Sequence, residues 1–139
     1  MMNEFICHWS VNPDLIRLAR FIVRGCRGAM EEAETVRAWV RTNIEYRNDP
    51  AGAELLQDPI VTLAEQAGDC DDLATLAGAL LGAIGHNIEA LAITWEGRQD
   101  PSHAVVMDST AGGIVDPVSN VHVSQWPPVP FVVSKFEGA

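Results

Sequence analysis

The chain has 139 residues, 47% of them apolar and 20% charged, with a net charge of −10. That size and balance suit one ordinary globular domain able to bury its own core, so a single unit over residues 1–139 is expected. No run of about 18 apolar residues is present to span a bilayer, and the acidic balance argues against a nucleic-acid binder, which needs clustered Lys and Arg for phosphate contacts.

The charge is uneven. Residues 1–47 hold seven Arg against six acidic residues, whereas residues 48–139 hold Arg98 and Lys135 against thirteen. The stretch from Met1 to Trp9 lacks a basic leader, a long apolar centre and a small-residue cleavage site, so it does not read as a secretory signal and a cytoplasmic location is expected.

Asn12-Pro13-Asp14 is a helix start, with Asn12 as cap and Pro13 in the first turn, where its missing N–H costs nothing. A helix to about Arg27 follows, with Leu15, Leu18, Ile22 and Phe21 as its apolar stripe. Arg17, Arg20, Arg24 and Arg27 fall on another face; they read as a solvated surface or as a docking stripe for an anionic protein partner. Val36, Trp39, Val40 and Ile44 recur at helical spacing and predict a second helix from about Glu31 to Tyr46, its aromatic residues in the core. Glu31, Glu32 and Glu34 suit the positive end of its dipole. After a loop at Asn48 to Gly52, Asp58-Pro59 opens a short helix through Ala67.

Gly68-Asp69 breaks that helix. Leu73, Leu76, Ala77, Leu80, Leu81 and Ile84 then mark an apolar helix from about Cys70 to Ile84, closed by Gly85, which is expected to be the buried central one. Beyond it the pattern changes to short β-branched segments, Ile88 to Trp95, His103 to Met107 and Gly113 to Val118, separated by Gly97 to Pro101 and Ser109 to Gly112, and these read as an antiparallel meander. Pro127, Pro128 and Pro130 predict an extended tail, with Phe131 to Val133 as an edge strand. Helices over about 13–85 followed by strands over about 88–135 give an α+β layout with a sheet packed on the central helix.

Three cysteines, with no Cys-x-x-Cys spacing, suggest neither a disulfide framework nor a thiol zinc site. Cys7 and Cys26 read as small core residues. Cys70 differs, because it stands at a predicted helix N-terminus, where unpaired N–H groups and the dipole favour a thiolate and can also hold an oxyanion. Asp69, Asp71 and Asp72 oppose a thiolate unless they point away or find partners; Asp72 has backbone N–H groups of the first turn within its reach.

Of the four histidines, His103 begins a predicted strand and is the best placed base. In an antiparallel hairpin the start of one strand lies near the end of the next, so Asp116 becomes its neighbour and the orienting group of a triad. A two-residue turn at Ser109-Thr110 would set the pair directly opposite; a later turn would offset it. His86 reads as a surface or capping residue, and His122 is the one rival base. Asp108 and Asp116 have the alternative of being solvated strand ends, and Asp116-Pro117 that of a turn former. A hard divalent cation on Asp69, Asp71, Asp72 and His103 is disfavoured, because adjacent helical residues diverge and the spacing matches no calcium loop.

The stretch Gly68-Asp69-Cys70-Asp71-Asp72-Leu73-Ala74, a helix ending at Gly85, a strand opening with His103 and a glycine turn leading to Asp116-Pro117 together resemble the core of the transglutaminase-like superfamily over about residues 33–118. Ile44-Glu45-Tyr46 and Pro59 to Ala67 resemble the helices ahead of the nucleophile in small bacterial and phage-encoded members. The resemblance implies a papain-like fold in which Cys70 attacks an acyl carbon, His103 exchanges the proton and Asp116 holds the imidazole, with a protein or peptide substrate, a thioester intermediate, and no cofactor or metal. Amide or peptide hydrolysis is expected before cross-linking, since the chain offers little further surface for a second protein substrate. The rival of another class is a non-catalytic component of a phage particle or assembly, virion-associated and docked through the arginine stripe. No side-chain oxyanion donor is assigned among Gln57, Gln66, Asn43 and Trp39.

Overall fold

The computed structural model describes residues 2–47, 56–95, 103–126 and 131–135. The expected loops at 48–52 and 97–101 and the prolines at 127–130 lie outside the described residues. Among the described residues five α-helices precede or form the core: α1 (Met2–Trp9), α2 (Pro13–Ile22), α3 (Ala29–Asn43), α4 (Pro59–Glu65) and α5 (Cys70–Ala83). The two-residue strands β1 (Glu45–Tyr46) and β2 (Ala67–Gly68) pair in parallel, and β3 (Ile88–Trp95), β4 (His103–Asp108), β5 (Gly113–Val115) and β6 (Phe131–Lys135) form an antiparallel sheet in the order β5-β4-β3-β6. The architecture is therefore α+β, and the expected edge strand at Phe131 takes its place beside β3.

The central helix is α5. Asp72 to Leu81 are all buried, and α1, α2, α3 and α4 pack around it while β3 and β4 close its remaining side. This is the arrangement that a helix apolar on most of its circumference requires. One face of the sheet, through Ala90, Ala104, Val106 and Val115, joins that core; Leu91, Ile93, Val105 and Ile114 form a second small cluster with Trp126.

Several boundaries differ from the sequence expectation, each for a local reason. Helix α1 was not expected. It is short, and its buried Met2 and Ile6 are fixed by packing on α5, not by a marked cap. Helix α2 starts as predicted, with Asn12 accepting from the N–H groups of Asp14 and Leu15, but it stops at Ile22, followed by a turn with Gly25 at φ +85°. Arg24 and Arg27 therefore lie past the helix, and the four arginines do not share one helical face. Phe21 is not in the core: it is 58% exposed and carries the Arg24 guanidinium 3.8 Å above its ring.

Helix α3 ends at Asn43 because Ile44 turns extended, and the Glu45 and Arg47 N–H groups donate to the carbonyls of Gln66 and Gly68. Tyr46 is thus on a strand and 45% exposed, not a core helical residue. Helix α4 ends two residues early, at the left-handed Gln66. Strand β5 ends at Val115 because Asp116 turns the chain, its side chain accepting from the Val118 N–H at 3.2 Å. Cys7 is exposed, since it falls on the outer face of α1, and Cys26 is half-buried against the Thr35 hydroxyl. Among the described residues no helix is long and apolar enough to cross a membrane.

Candidate active site

Cys70 is the first residue of α5, and the sequence around it builds that helix start. Asp69 caps it by accepting from the Asp72 N–H at 3.0 Å, while Asp72 accepts from the Asp69 N–H at 3.1 Å and from the Gln57 N–H at 2.8 Å. Two of the three carboxylates beside the sulfur are thus occupied with backbone donors, a reciprocal capping box. The third, Asp71, accepts a hydrogen bond from the Cys70 thiol, Sγ to Oδ1 3.8 Å. Gly68 permits the arrangement. A Cβ at that position would stand 2.6 Å from Asp72 Cβ, so only glycine lets β2 pass this close to the capping carboxylate.

His103 opens β4, and Asp116 follows the last residue of β5. The register pairs Val106 with Val115 and Asp108 with Gly113, which places Asp116 two residues from direct opposition to His103 and on the same face. The four-residue turn from Ser109 to Gly112 causes this offset, and the diagonal is short enough: His103 Nε2 donates to Asp116 Oδ2 at 2.9 Å. Burial disfavours the charged imidazolium, yet its hydrogen bonds to Asp116 and then to Cys70, with the charges of both, prevail and push the His103 pKa up to about 10. Since Asp116 occupies Nε2, the nitrogen left to share a proton with Cys70 is Nδ1.

Asp116 is buried, 2% exposed, and held on both oxygens. Oδ1 accepts from Val118, and Oδ2 also accepts from the Trp126 indole N–H at 3.3 Å. Helix α3 fixes the segment between these two donors. Arg41 donates to the Val118 carbonyl and Arg37 to the Ser119 carbonyl, both at 2.5 Å, and Glu34 accepts from the Val123 N–H at 3.0 Å. Burial works against the Glu34 carboxylate, but its bonds to Arg37 and Val123 hold its pKa below the ordinary value.

A match to the transglutaminase-like superfamily spans residues 16–116. The chain belongs to that superfamily. No curated protein matches the sequence, but solved structures share the fold. The transglutaminase-like chain is similar to a candidate protease from Parabacteroides distasonis (TM-score 0.69, 15% identity, 96% of this chain and 28% of that one) and to a candidate cysteine protease from Cytophaga hutchinsonii (0.66, 22%, 78% and 38%). It is also similar to calcium-bound LapG of Legionella pneumophila (0.59, 15%, 88% and 85%). The chain thus spans well under half the length of the first two. At these identities the likeness shows the fold of the transglutaminase-like unit and nothing of its substrates.

The remaining sequence candidates fall elsewhere. His122 is exposed in the 3-10 turn Val123–Gln125 as its cap, accepting at Nδ1 from the Ser124 N–H, and it does not join Asp116. His86 is not a surface residue. It is buried at 7% exposure between Asp108, 2.5 Å from Nδ1, and Glu32, 2.7 Å from Nε2. Asp108 is correspondingly fully buried, and neither it nor Asp116 is a solvated strand end. Asn43 donates its side chain to the Trp39 carbonyl, and Gln57 uses its own on Thr62 and Glu65. Among the described residues no group of three His, Cys, Asp or Glu is arranged to hold a metal. Sequence reasoning missed Trp126, Arg37 and Arg41, which act over sequence separations that no local pattern reports.

Proposed function

We propose that this chain is a cysteine hydrolase of amide or peptide bonds, with Cys70 as nucleophile, His103 as general base and acid, and Asp116 as the group that orients the imidazole. One observation carries the reading: the His103 imidazole is hydrogen-bonded to Asp116 through Nε2 at 2.9 Å, and Cys70 is, with Asp116, among the groups that raise its pKa. Nucleophile, base and orienter thus form one connected chain of side chains.

Chemistry follows from the protonation states. A strongly raised His103 favours the imidazolium, so the Cys70 proton passes to Nδ1 and the sulfur becomes a thiolate next to a positive charge. The thiolate attacks the substrate carbonyl carbon. The Cys70 backbone N–H, ahead of the first internal bond of α5 from Leu73 to Asp69, is the donor for the oxyanion. Collapse breaks the C–N bond, the leaving amine takes the proton from His103, and an acyl thioester stays on Cys70. Water then gives a proton to His103 and attacks the thioester; carboxylic acid leaves and the thiolate returns. Asp116 keeps Nε2–H engaged, so that Nδ1 points at the sulfur in both halves.

The test is the pH dependence of iodoacetamide alkylation at each cysteine, read by mass spectrometry. Exposed Cys7 serves as an internal reference. An ordinary thiol titrates near ~8.5, and its rate falls about tenfold per unit below that. Cys70 is expected to retain its rate at pH 6 while Cys7 slows, and a peptide-amide substrate is expected to form a thioester on Cys70 that His103→Ala abolishes. Parallel titrations of Cys70 and Cys7, with no effect of His103→Ala, would remove the catalytic reading.

A further inference from the structure

A cavity of about 210 Å³ that the chemistry above does not use is lined by Pro117, the residue after Asp116, and by Leu73, one turn along α5 from Cys70. Its walls come from segments tied to those that carry that chemistry. On one side are Ile44 and Tyr46; Tyr46 pairs across β1-β2 with Gly68, two residues before Cys70. On the other are Pro117 and Val118, directly after Asp116. Leu73, one turn along α5 from Cys70 and only 1% exposed, forms the floor. Residues i and i+3 share a helix face, so the floor of the cavity and the nucleophile lie on the same side of α5.

The cavity is built, not incidental. Arg41 grips the Val118 carbonyl while the Val118 N–H is bonded to Asp116, so one wall is locked from both sides. The other is tied to β2 by the Glu45 and Arg47 N–H groups. Its volume is below the roughly 300–1,000 Å³ of pockets that enclose whole small ligands, and it matches a single large side chain. Five of its lining residues are apolar or aromatic. The charges at its rim oppose each other: Arg41 is committed to a carbonyl and Glu45 to Arg47, 2.7 Å away.

We propose that this cavity is the specificity subsite of the enzyme, taking an aliphatic or aromatic side chain from the acyl side of the scissile bond. The acyl side is assigned because that portion stays on the sulfur through the thioester, so a pocket one helical turn from Cys70 serves both half-reactions. The assignment rests on the hydrolase reading given above. Tyr46, exposed and on a two-residue strand, is the residue through which it discriminates.

Dipeptidyl acyloxymethyl ketones, which alkylate a cysteine placed like Cys70, test this when each of their two residues is varied in turn among Leu, Phe, Gly and Glu. Burying one such side chain supports a preference of about tenfold or more. Leu or Phe probes are therefore expected to label Cys70 at least about tenfold faster than Gly probes at one position, and Tyr46→Ala should shrink that ratio to about threefold or less while Tyr46→Phe preserves it. Equal rates at both positions, or Glu as the fastest residue, would overturn the subsite provided that Cys70 still alkylates with iodoacetamide at pH 6. Loss of that low-pH alkylation would instead overturn the hydrolase reading, so the two failures are told apart.

Discussion

Trp126 donates its indole N–H to Asp116 Oδ2, the same oxygen that receives the His103 Nε2–H. The indole sits in the cluster of Leu91, Ile93, Val105 and Ile114, so its ring is packed and its N–H is aimed. Trp126→Phe keeps an aromatic ring there and deletes the donor. A hydrogen bond to a charged group is worth ~1.5–3 kcal/mol, and the variant is expected to lose roughly that much stability in urea unfolding. Its kcat/KM on a peptide amide is expected to fall by about three- to tenfold, because Asp116 is then less well aimed at the imidazole. A stability loss with full activity would show that the bond serves packing alone.

Asp116 has a larger and more specific effect in prospect. Its hydrogen bond is the leading cause that raises His103 against the opposing effect of burial, and its charge adds to it after the hydrogen bond of Cys70. With Asp116→Asn the charge is gone and burial acts with less opposition, so the imidazole should titrate well below about 10 and toward its ordinary ~6.5. NMR titration of the His103 ring measures this without any substrate. Alkylation of Cys70 at pH 6 should slow in parallel, by about tenfold or more, since the imidazolium partner is partly lost. An unchanged His103 midpoint would mean that Asp116 does not set its charge.

How far the sequence disclosed this site depends on the distance over which each signal acts. Asp69-Cys70-Asp71-Asp72 is a local cap, and local chemistry is enough to place Cys70 at the start of α5. The His103–Asp116 pairing needs only a hairpin, and the four-residue turn moved its register by a tolerable two residues. Trp126, Arg37 and Arg41 reach Asp116 or its loop from elements whose contact only the folded core decides, so no spacing marks them. The same holds for His86. After a helix-ending glycine it looks like a cap, and only the approach of α3 and β4 supplies Glu32 and Asp108. The short parallel pair β1-β2 was hidden for another reason: the helical pattern of α3 runs on through Ile44, and tertiary pairing overrides it.

Gly68 makes a prediction about the cap itself. An added methyl would meet Asp72 Cβ at 2.6 Å and Oδ2 at 3.0 Å, so β2 or the first turn of α5 has to move. Gly68→Ala is therefore expected to cost roughly 1–3 kcal/mol, the range for overpacking a closed site. Because the displaced group is the capping carboxylate two residues from Cys70, the variant should also lose pH 6 alkylation at Cys70. Thermal unfolding and the alkylation profile together check this. Wild-type stability in Gly68→Ala would show that the chain accommodates the methyl without disturbing the cap.

The far end of β4 carries a second ionic cluster with its own pH signature. His86 faces Asp108 on one ring nitrogen and Glu32 on the other, and a neutral imidazole has only one N–H to offer two carboxylates. Burial disfavours its charge, but the bonds to Glu32 and Asp108 prevail, and its pKa stands above the ordinary 6.5. A histidine raised on folding contributes stability that is fully present below about 6.5 and is lost as pH rises through the folded pKa. His103 has the same sign, so the share of His86 must be taken from a difference. His86→Leu leaves fully buried Asp108 without its ring partner, and removing one member of a buried ionic pair costs ~3–5 kcal/mol. The expected result in urea unfolding at pH 6, 8 and 10 is a large deficit for His86→Leu at pH 6 that narrows as the wild type loses its own His86 contribution at higher pH. A deficit that stays constant across this range would mean that His86 holds α3 and β4 together by shape and neutral hydrogen bonding, and not by its charge.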